Sequence, residues 1–269
     1  MKLKDIMGEL YSLYNPKIAE EWDNVGLIIG DENKEIEKIA ICLDVTKKVI
    51  KKAIEEKIDL IISHHPLIFS SIKKITNETV LGGKILNLIE NKIAVYSIHT
   101  NSDFVKNGLN DFIMDKLDLK GEDKIFDEKI FTDYNHFKNK NEEVNSGTVR
   151  IKKLYKEIEI KELIEYIKKS LNLKYVRYTG ENKKIRNIGL VTGSGSSFYP
   201  LVKDEVDVFI TGDLKYHESL DYLEENKLFI DIGHYESEYL FSDLVEAELK
   251  KFFSGKIVKY FGEPVFKLQ

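Results

Sequence analysis

Short apolar runs alternate with segments of helical periodicity between residues 38 and 119, and this alternation restricts the fold more than any other feature. The runs KIAICLDVT, DLIISHH and AVYSIHTNSD are typical of buried strands, and the segments between them carry apolar residues at helical spacing. Strands that alternate with helices form largely parallel sheets covered by helices. A second alternating set begins near residue 147. The sequence therefore predicts an α/β fold with two α/β lobes and mixed, largely parallel sheets.

The stretch between residues 120 and 146 is polar and lacks a regular period, so we expect an irregular boundary between the lobes there. The last helix is predicted over ESEYLFSDLVEAELKKFF, and the final strand, GKIVKYF, is expected to return to the first sheet. The predicted first lobe is therefore residues 1–125 plus 235–269, and the predicted second lobe is residues 126–234.

Charge and cysteine content exclude several classes of protein. With 46 acidic and 41 basic residues, the formal charge of −5 gives no general attraction for nucleic acid or anionic membranes. The single cysteine, Cys42, excludes an intramolecular disulfide and is expected to be a small core residue. The N-terminal segment predicts an amphipathic helix rather than a signal peptide, and no apolar run approaches the roughly 20 residues of a membrane span. We expect a cytoplasmic protein.

Two adjacent histidines, His64 and His65, stand at the exit of a predicted strand and precede Pro66. Consecutive side chains of a regular strand point to opposite faces, but at the exit the backbone turns and both imidazoles can face one crevice. Such a pair suits two neighbouring metal ions better than one. A structural or surface histidine pair is the alternative at this point.

Two further polar clusters follow predicted strands. In HTNSD, Asp103 is a candidate carboxylate ligand and His99 is a candidate ligand or a group that orients one. Ordinary turn and N-cap chemistry explains this cluster equally simply, and taken alone it is the favoured interpretation. In DIGHYESEYL, His234 and Glu238 are four residues apart and lie on one face of a predicted helix, although this spacing is common in helices.

Together the clusters predict a dinuclear metal site between the lobes. Three imidazoles and two carboxylates without cysteine suit Fe(II), Mn(II), Zn(II) or Co(II). Five protein ligands exceed the three that an open catalytic zinc ion normally keeps. Shared between two ions, with one carboxylate bridging, the same ligands leave positions for water or substrate. We therefore expect two divalent metal ions per chain.

Six motifs in order give the chain a resemblance to a known family. EEWDNVGL (20–27), SHHPLIF (63–69), HTNSD (99–103), GSG (193–195), ITGDLKYHE (210–218) and GHYESE (233–238) resemble the Nif-three-like family, whose members often carry the name GTP cyclohydrolase 1 type 2 homologue. The resemblance covers essentially the whole chain. It implies a ring-shaped homohexamer with metal pairs facing an internal cavity. Longer members carry an inserted domain, for which only residues 120–146 are available here.

The resemblance also implies roles for individual residues. One ion is assigned to His65 and Asp103, the other to His64 and His234, and Glu238 is the bridging ligand. Four groups surround this set in the implied arrangement. A loop with Trp22 and Asp23 lies near the site, unless Trp22 is a plain core residue. A glycine turn either binds phosphate or is simply a tight turn (Gly193, Ser194, Gly195), Lys215 and His217 meet an anionic substrate or donate protons, and Thr211 and Asp213 support the ligands.

The favoured function is a metal-dependent hydrolase of a nucleotide or phosphorylated substrate, of the GTP cyclohydrolase type, with His99 or His217 as the proton shuttle. A non-catalytic hexameric protein that handles metal or regulates through it is the alternative. A nucleic-acid partner is disfavoured because the chain is acidic and has no basic motif. Neither the native metal nor the substrate follows from the sequence.

Overall fold

The structure of the protein is a computed structural model that describes residues 1–181 and 183–266. These residues divide into two compact units. Unit 1 contains Met1–Val105, Phe131–Val144 and Phe241–Gly262. Unit 2 contains Lys106–Ile130, Asn145–Leu240 and the chain from Glu263. Each unit has a mixed sheet and helices, which confirms the predicted α/β class.

Unit 1 contains a mixed sheet in which four of the described strands run parallel, and the last of these four is the C-terminal strand. The helices and strands of unit 1 are α1 (Leu3–Leu13), a 3-10 helix (Pro16–Ile18), β1 (Gly26–Ile29), β2 (Lys38–Cys42), α2 (Lys47–Glu55), β3 (Leu60–Ser63), α3 (Val80–Glu90), β4 (Ala94–Ser97), α4 (Thr100–Phe104), α10 (Phe241–Leu249) and β13 (Lys256–Lys259). The strand order is β1-β4-β3-β2-β13, with β1 antiparallel at one edge and β13 parallel to β2 at the other. The final strand therefore returns to the first sheet, as predicted.

The carboxyl ends of the three central strands of unit 1 lie in register. Cys42 at the end of β2 pairs with Ser63 of β3, and Ser63 pairs with Ser97 of β4. The residues that follow each strand consequently leave the sheet at one edge, where binding sites of open α/β sheets form. Below this edge β3 and β4 are buried along their whole length and β2 is buried from Ile39 to Cys42, as is typical of parallel strands inside a sheet.

Helix α2 shows how the sequence determines local structure in unit 1. Thr46 caps the helix by accepting a hydrogen bond from the Val49 amide at 3.1 Å. The buried face of α2, which includes Val49, Ile50 and Ala53, packs on the sheet in one hydrophobic cluster. Complete burial of each large aliphatic side chain stabilises the fold by about 1.5–3 kcal/mol.

Unit 2 contains a second mixed sheet. The helices and strands of unit 2 are α5 (Leu109–Lys116), β5 (Gly121–Ile125), β8 (Arg150–Glu159), α6 (Ile160–Ser170), β9 (Arg177–Tyr178), β10 (Lys184–Leu190), a 3-10 helix (Gly195–Phe198), α7 (Tyr199–Val202), β11 (Val208–Thr211), α8 (Tyr216–Glu224), β12 (Leu228–Asp231) and α9 (His234–Glu238). The order is β5-β8-β10-β11-β12-β9, and the neighbours β10, β11 and β12 are parallel. Their carboxyl ends again lead into polar loops.

The prediction of an irregular stretch at residues 120–146 is wrong. This stretch forms β5 and a two-stranded sheet, the β6–β7 hairpin, of β6 (Lys129–Asn135) and β7 (Lys140–Ser146). The alternation of apolar residues that is typical of strands is absent from β6, because two of its buried positions are polar: Asp133 and Asn135. The Asn135 amide donates to the Gly8 carbonyl at 2.9 Å, and Tyr11 donates to Asp133 at 2.7 Å, so polar bonds attach the hairpin to α1.

Two other predicted elements end earlier than expected. The strand predicted through AVYSIHTNSD stops at Ser97, and Thr100–Phe104 form helix α4, because Asn101 Oδ1 accepts the His99 amide in a local turn. The single helix predicted over residues 236–253 is divided into α9 and α10. The division falls where the chain passes from unit 2 to unit 1 at residue 240.

The assignment of the lobes to residues 1–125 plus 235–269 and to residues 126–234 stays a prediction. The compact units share its interrupted pattern, in which the C-terminal segment joins the N-terminal one. None of the helices within residues 1–181 and 183–266 has the length and apolarity needed to cross a bilayer.

Candidate metal centre

His64 is a buried imidazole with a defined tautomer. Its amide continues the sheet by donating to the Cys42 carbonyl, and its side chain is completely buried. The ring Nδ1 lies 3.0 Å from the carbonyl oxygen of Ile98. A carbonyl oxygen only accepts, so Nδ1 carries a hydrogen, and in the neutral form of the ring the lone pair is on Nε2. That Nε2 atom lies 3.7 Å from Oδ1 of Asp103 on α4.

The other two histidines of unit 1 are held in the same way by carboxylates. His65 Nδ1 lies 3.0 Å from Asp44 Oδ1, and His99 Nδ1 lies 2.9 Å from Asp23 Oδ1. An ionised carboxylate also only accepts, so in both rings Nδ1 is the donor, and in the neutral form of the ring Nε2 carries the lone pair. One ring nitrogen from each of His64, His65 and His99 lies within 4.8 Å of the others. Unit 1 thus gathers three imidazoles at the exits of β3 and β4.

Asp23 is built to remain ionised beside His99. Its side chain is fully buried, and it accepts hydrogen bonds from the Thr100 amide at 3.1 Å and the Thr100 hydroxyl at 2.5 Å as well as from His99. Burial by itself raises the pKa of Asp23, but the hydrogen bonds from His99 and Thr100 outweigh it, so the pKa lies below its ordinary value. The anion fixes the orientation of the His99 ring.

In unit 2, His234 and Glu238 lie on one face of α9, as the spacing predicts. His234 Nε2 is 3.1 Å from Glu238 Oε2, and His234 Nδ1 is 2.7 Å from Asp213 Oδ2. Glu238 is 3% exposed, whereas His234 is 36% exposed. Asp213, which the sequence suggested as a supporting residue, occupies the left-handed region with φ +57° in the loop after β11.

The glycine turn makes room for the Glu238 carboxylate. Gly193 has φ +61°, and a Cβ atom there would lie 2.2 Å from Glu238 Oε1. The Gly193 amide donates to Ser237 Oγ at 2.8 Å, and the Gly195 amide donates to Thr211 Oγ1 at 2.9 Å. These two amides are therefore engaged within unit 2. The assignment of Gly193, Ser194 and Gly195 to substrate binding stays a prediction.

The donor chemistry fits divalent metal ions. A histidine that binds a metal through one nitrogen usually donates its other N–H to a carboxylate or a backbone carbonyl. All four histidines described above meet this condition: His64, His65, His99 and His234. The 3.7 Å between His64 Nε2 and Asp103 Oδ1 exceeds a hydrogen bond and suits two ligands that are each about 2.1 Å from one ion.

The sequence model of Duf34/NIF3 (NGG1p interacting factor 3) matches residues 1–261. The chain belongs to the Duf34/NIF3 family. Several relatives of this chain are named GTP cyclohydrolase 1 type 2 homolog. The one from Clostridium perfringens is 41% identical over 241 residues, which are 89% of this chain and 87% of that protein. The one from Clostridium acetobutylicum is 38% identical over 241 residues, which are 89% of this chain and 86% of that protein.

Solved structures share the fold of this chain. The Staphylococcus aureus hypothetical protein SA1388 superposes with a TM-score of 0.88 at 30% identity, over 100% of this chain and 99% of that chain. Reduced HcgD from Methanocaldococcus jannaschii has a TM-score of 0.80 at 29% identity, over 96% of this chain and 97% of that chain. Both the family resemblance and the Duf34/NIF3 fold are thereby confirmed.

Three other residues that the sequence singles out in this Duf34/NIF3 chain are exposed: Trp22, Lys215 and His217. Lys215 precedes α8 and His217 lies in its first turn, and both are exposed. The His217 ring contacts the Tyr216 ring edge-on at 5.3 Å between centroids. Their assignments as substrate-binding and catalytic residues stay predictions. Trp22 is 55% exposed, so the alternative that it is a plain core residue is wrong.

Sequence reasoning missed Asp44, which holds the His65 ring. Asp44 follows β2 and is 61% exposed. The signal was present, because Asp44 stands two residues beyond a strand end, as His65 does. The sequence pattern does not distinguish Asp44 at the exit of β2, because a single aspartate in CLDVT is typical of an ordinary strand-to-helix turn.

Proposed function

We propose that this Duf34/NIF3 protein binds divalent metal ions through two ligand sets, one in each unit, and is a metal-dependent hydrolase. The set of unit 1 is His64, His65 and Asp103, with His99 beside it. The set of unit 2 is His234 and Glu238. The observation that carries the proposal is a shared contact: every one of the four rings has its Nδ1 beside an oxygen acceptor.

The ligand types define the class of ion. Imidazole and carboxylate ligands without thiolate suit Fe(II), Zn(II), Mn(II) or Co(II), and we propose about two ions per chain, as in dinuclear hydrolases. Bound divalent ions lower the pKa of a bound water and so supply hydroxide near neutral pH. The residues of the chain have to provide the orientation of the ligands and the transfer of protons.

His99 is the proton carrier in this proposal. Its Nδ1–H is held by the ionised Asp23, so a proton enters and leaves at Nε2. Asp23 also fixes the ring, because its Oδ1 lies 2.9 Å from His99 Nδ1. The pair therefore resembles the orienting carboxylate and base of other general acid–base sites.

The substrate class follows from the names of relatives and stays part of the proposal. Relatives up to 41% identical are named GTP cyclohydrolase 1 type 2 homolog. Opening the imidazole ring of a guanine nucleotide needs an attacking hydroxide and a general acid, and both are provided above. We therefore propose a nucleotide or phosphorylated substrate, and, from the family resemblance, a homohexameric assembly.

The test is turnover after controlled metal loading. The protein is stripped with chelator, reloaded with each candidate ion, and assayed with GTP and a set of phosphoesters. Turnover that rises with occupancy supports the hydrolase. The His99→Gln variant should lose about 10²–10⁴-fold in kcat, while His136→Gln, an exposed histidine in the β6–β7 turn, should match the wild type.

The metal content of the same samples separates the outcomes. A His99→Gln variant that keeps its metal and loses kcat supports the proton carrier. A protein that binds metal and turns over nothing in the panel contradicts the hydrolase and supports the non-catalytic metal-handling alternative.

A further inference from the structure

Two large aromatic side chains of unit 1 are exposed beside His99. Trp22 is 55% exposed and Phe69 is 53% exposed, and their ring centroids are 5.5 Å apart with an angle of 44° between the ring planes. The rings form an open V rather than a closed stack. Exposed aromatic area of this kind is unfavourable in water and is typical of a binding surface.

The loops that carry the two rings are tied to each other and to the sheet. Asn24 Nδ2 donates to the Ile68 carbonyl at 2.6 Å, which joins the loop of Trp22 to the residue before Phe69. Asp23 is fixed by the Thr100 amide at 3.1 Å, so the Trp22 loop is also held at the exit of β4. The aromatic pair is therefore held in place before any ligand binds, which lowers the entropy lost on binding.

The pair lies close to the candidate metal ligands of the same unit. The His99 ring lies 5.9 Å from the Trp22 ring and 6.3 Å from the Phe69 ring, measured between centroids. The same His99 ring lies 5.0 Å from the His64 ring and 5.5 Å from the His65 ring. A planar group that covers Trp22 or Phe69 would consequently lie against the proton carrier and close to the metal ligands.

We propose that Trp22 and Phe69 form a stacking platform for the planar base of a nucleotide-like substrate. The inference rests on the proposed function and specifies which part of the substrate binds here. Aromatic side chains bind bases through their π faces, whatever the base. An indole ring and a phenyl ring contact the base and not the phosphate. Binding of the base should therefore not require the phosphate.

Trp22 reports on its own occupancy, because it is the single tryptophan of the 269 residues. Its fluorescence is recorded while the zinc-loaded protein is titrated with GMP, with guanosine, and with ribose 5-phosphate, which lacks the base. We expect saturable quenching with GMP and guanosine and none with ribose 5-phosphate. The Phe69→Leu variant should raise the Kd for GMP by about tenfold.

The control is Phe261→Leu, which removes a similarly exposed ring, 52% exposed, next to β13. This variant should keep the wild-type Kd for GMP. Equal quenching by ribose 5-phosphate, or an unchanged Kd in Phe69→Leu, overturns the platform. A third result also overturns the platform: Trp22 emission that is blue-shifted in the ligand-free protein, as for a buried indole, and does not respond to GMP. Another copy of the chain then covers Trp22.

The binding assay separates this inference from the proposed hydrolase. Base-dependent quenching without turnover of any nucleotide leaves the platform standing and contradicts the hydrolase. Turnover of a phosphorylated compound that contains no base, without base-dependent quenching, supports the hydrolase and overturns the platform.

Discussion

Substitution of Gly193 by alanine should damage the ligand set of unit 2 in a calculable way. A Cβ atom at this position would lie 2.2 Å from Glu238 Oε1, whereas real Cβ atoms essentially never come within 3.0 Å, so the carboxylate has to move by about 0.8 Å. Metal–ligand distances tolerate only about 0.2 Å. The left-handed backbone adds roughly 1–2 kcal/mol of strain.

Gly26→Ala is the matched control. Gly26 also has a positive φ, +99°, but a Cβ atom there meets nothing within 4 Å. Both variants should lose roughly 1–2 kcal/mol of unfolding free energy in urea with chelator present, because chelator removes the contribution of bound metal. Only Gly193→Ala should also bind metal more weakly, by about tenfold or more in competition with a chromophoric chelator.

The comparison of the two glycine variants has a clear negative result. If Gly193→Ala binds metal as tightly as the wild type while losing the same stability as Gly26→Ala, then Glu238 is not a metal ligand in the position described. If neither variant loses stability, the strain argument is wrong.

Three further predictions concern the hairpin, the core and the edge of unit 1. Asp133→Asn should lower the unfolding free energy by about 2 kcal/mol at pH 7. Burial raises the pKa of Asp133, but hydrogen bonds from Lys17, Asn15 and Tyr11 outweigh it and hold that pKa well below its ordinary value. The wild type should therefore lose stability as the pH falls below about 5. Urea midpoints measured across this pH range should fall less for the variant than for the wild type. Cys42 is buried and burial raises the pKa of its thiol, so a thiol reagent should label it only on unfolding; rapid labelling of the native protein would contradict its burial. Asp44→Asn should weaken metal binding about 10–100-fold in the same competition assay, and an unchanged affinity would show that Asp44 does not orient His65.

The sequence predicted well those parts of the fold in which one periodicity dominates. The strands around Ile41 and Ile62 are buried on both faces, so their apolar runs were unambiguous. The β6–β7 hairpin was missed because its inward side chains, Asp133 and Asn135, form hydrogen bonds instead of apolar contacts. No pattern based on hydrophobicity detects a strand of this kind.

The candidate site divides along similar lines. Strand exits located His64 and His99, because the carboxyl ends of parallel strands meet at one edge. The tautomers did not follow from the sequence, since the acceptors Ile98 and Asp23 come from other segments of the chain. The exposure of Trp22 did not follow from the sequence either, because a single tryptophan before an apolar strand is compatible with a core or a surface position.

The most direct test of metal binding is elemental analysis of the protein purified without chelator, together with His65→Ala, Glu238→Ala and the control His136→Ala. We expect about two divalent ions per chain in the wild type and the control, and fewer in the other two variants. A wild-type protein that holds no divalent ion at any concentration offered, or variants that keep the full content, would contradict the assignment of these residues as metal ligands.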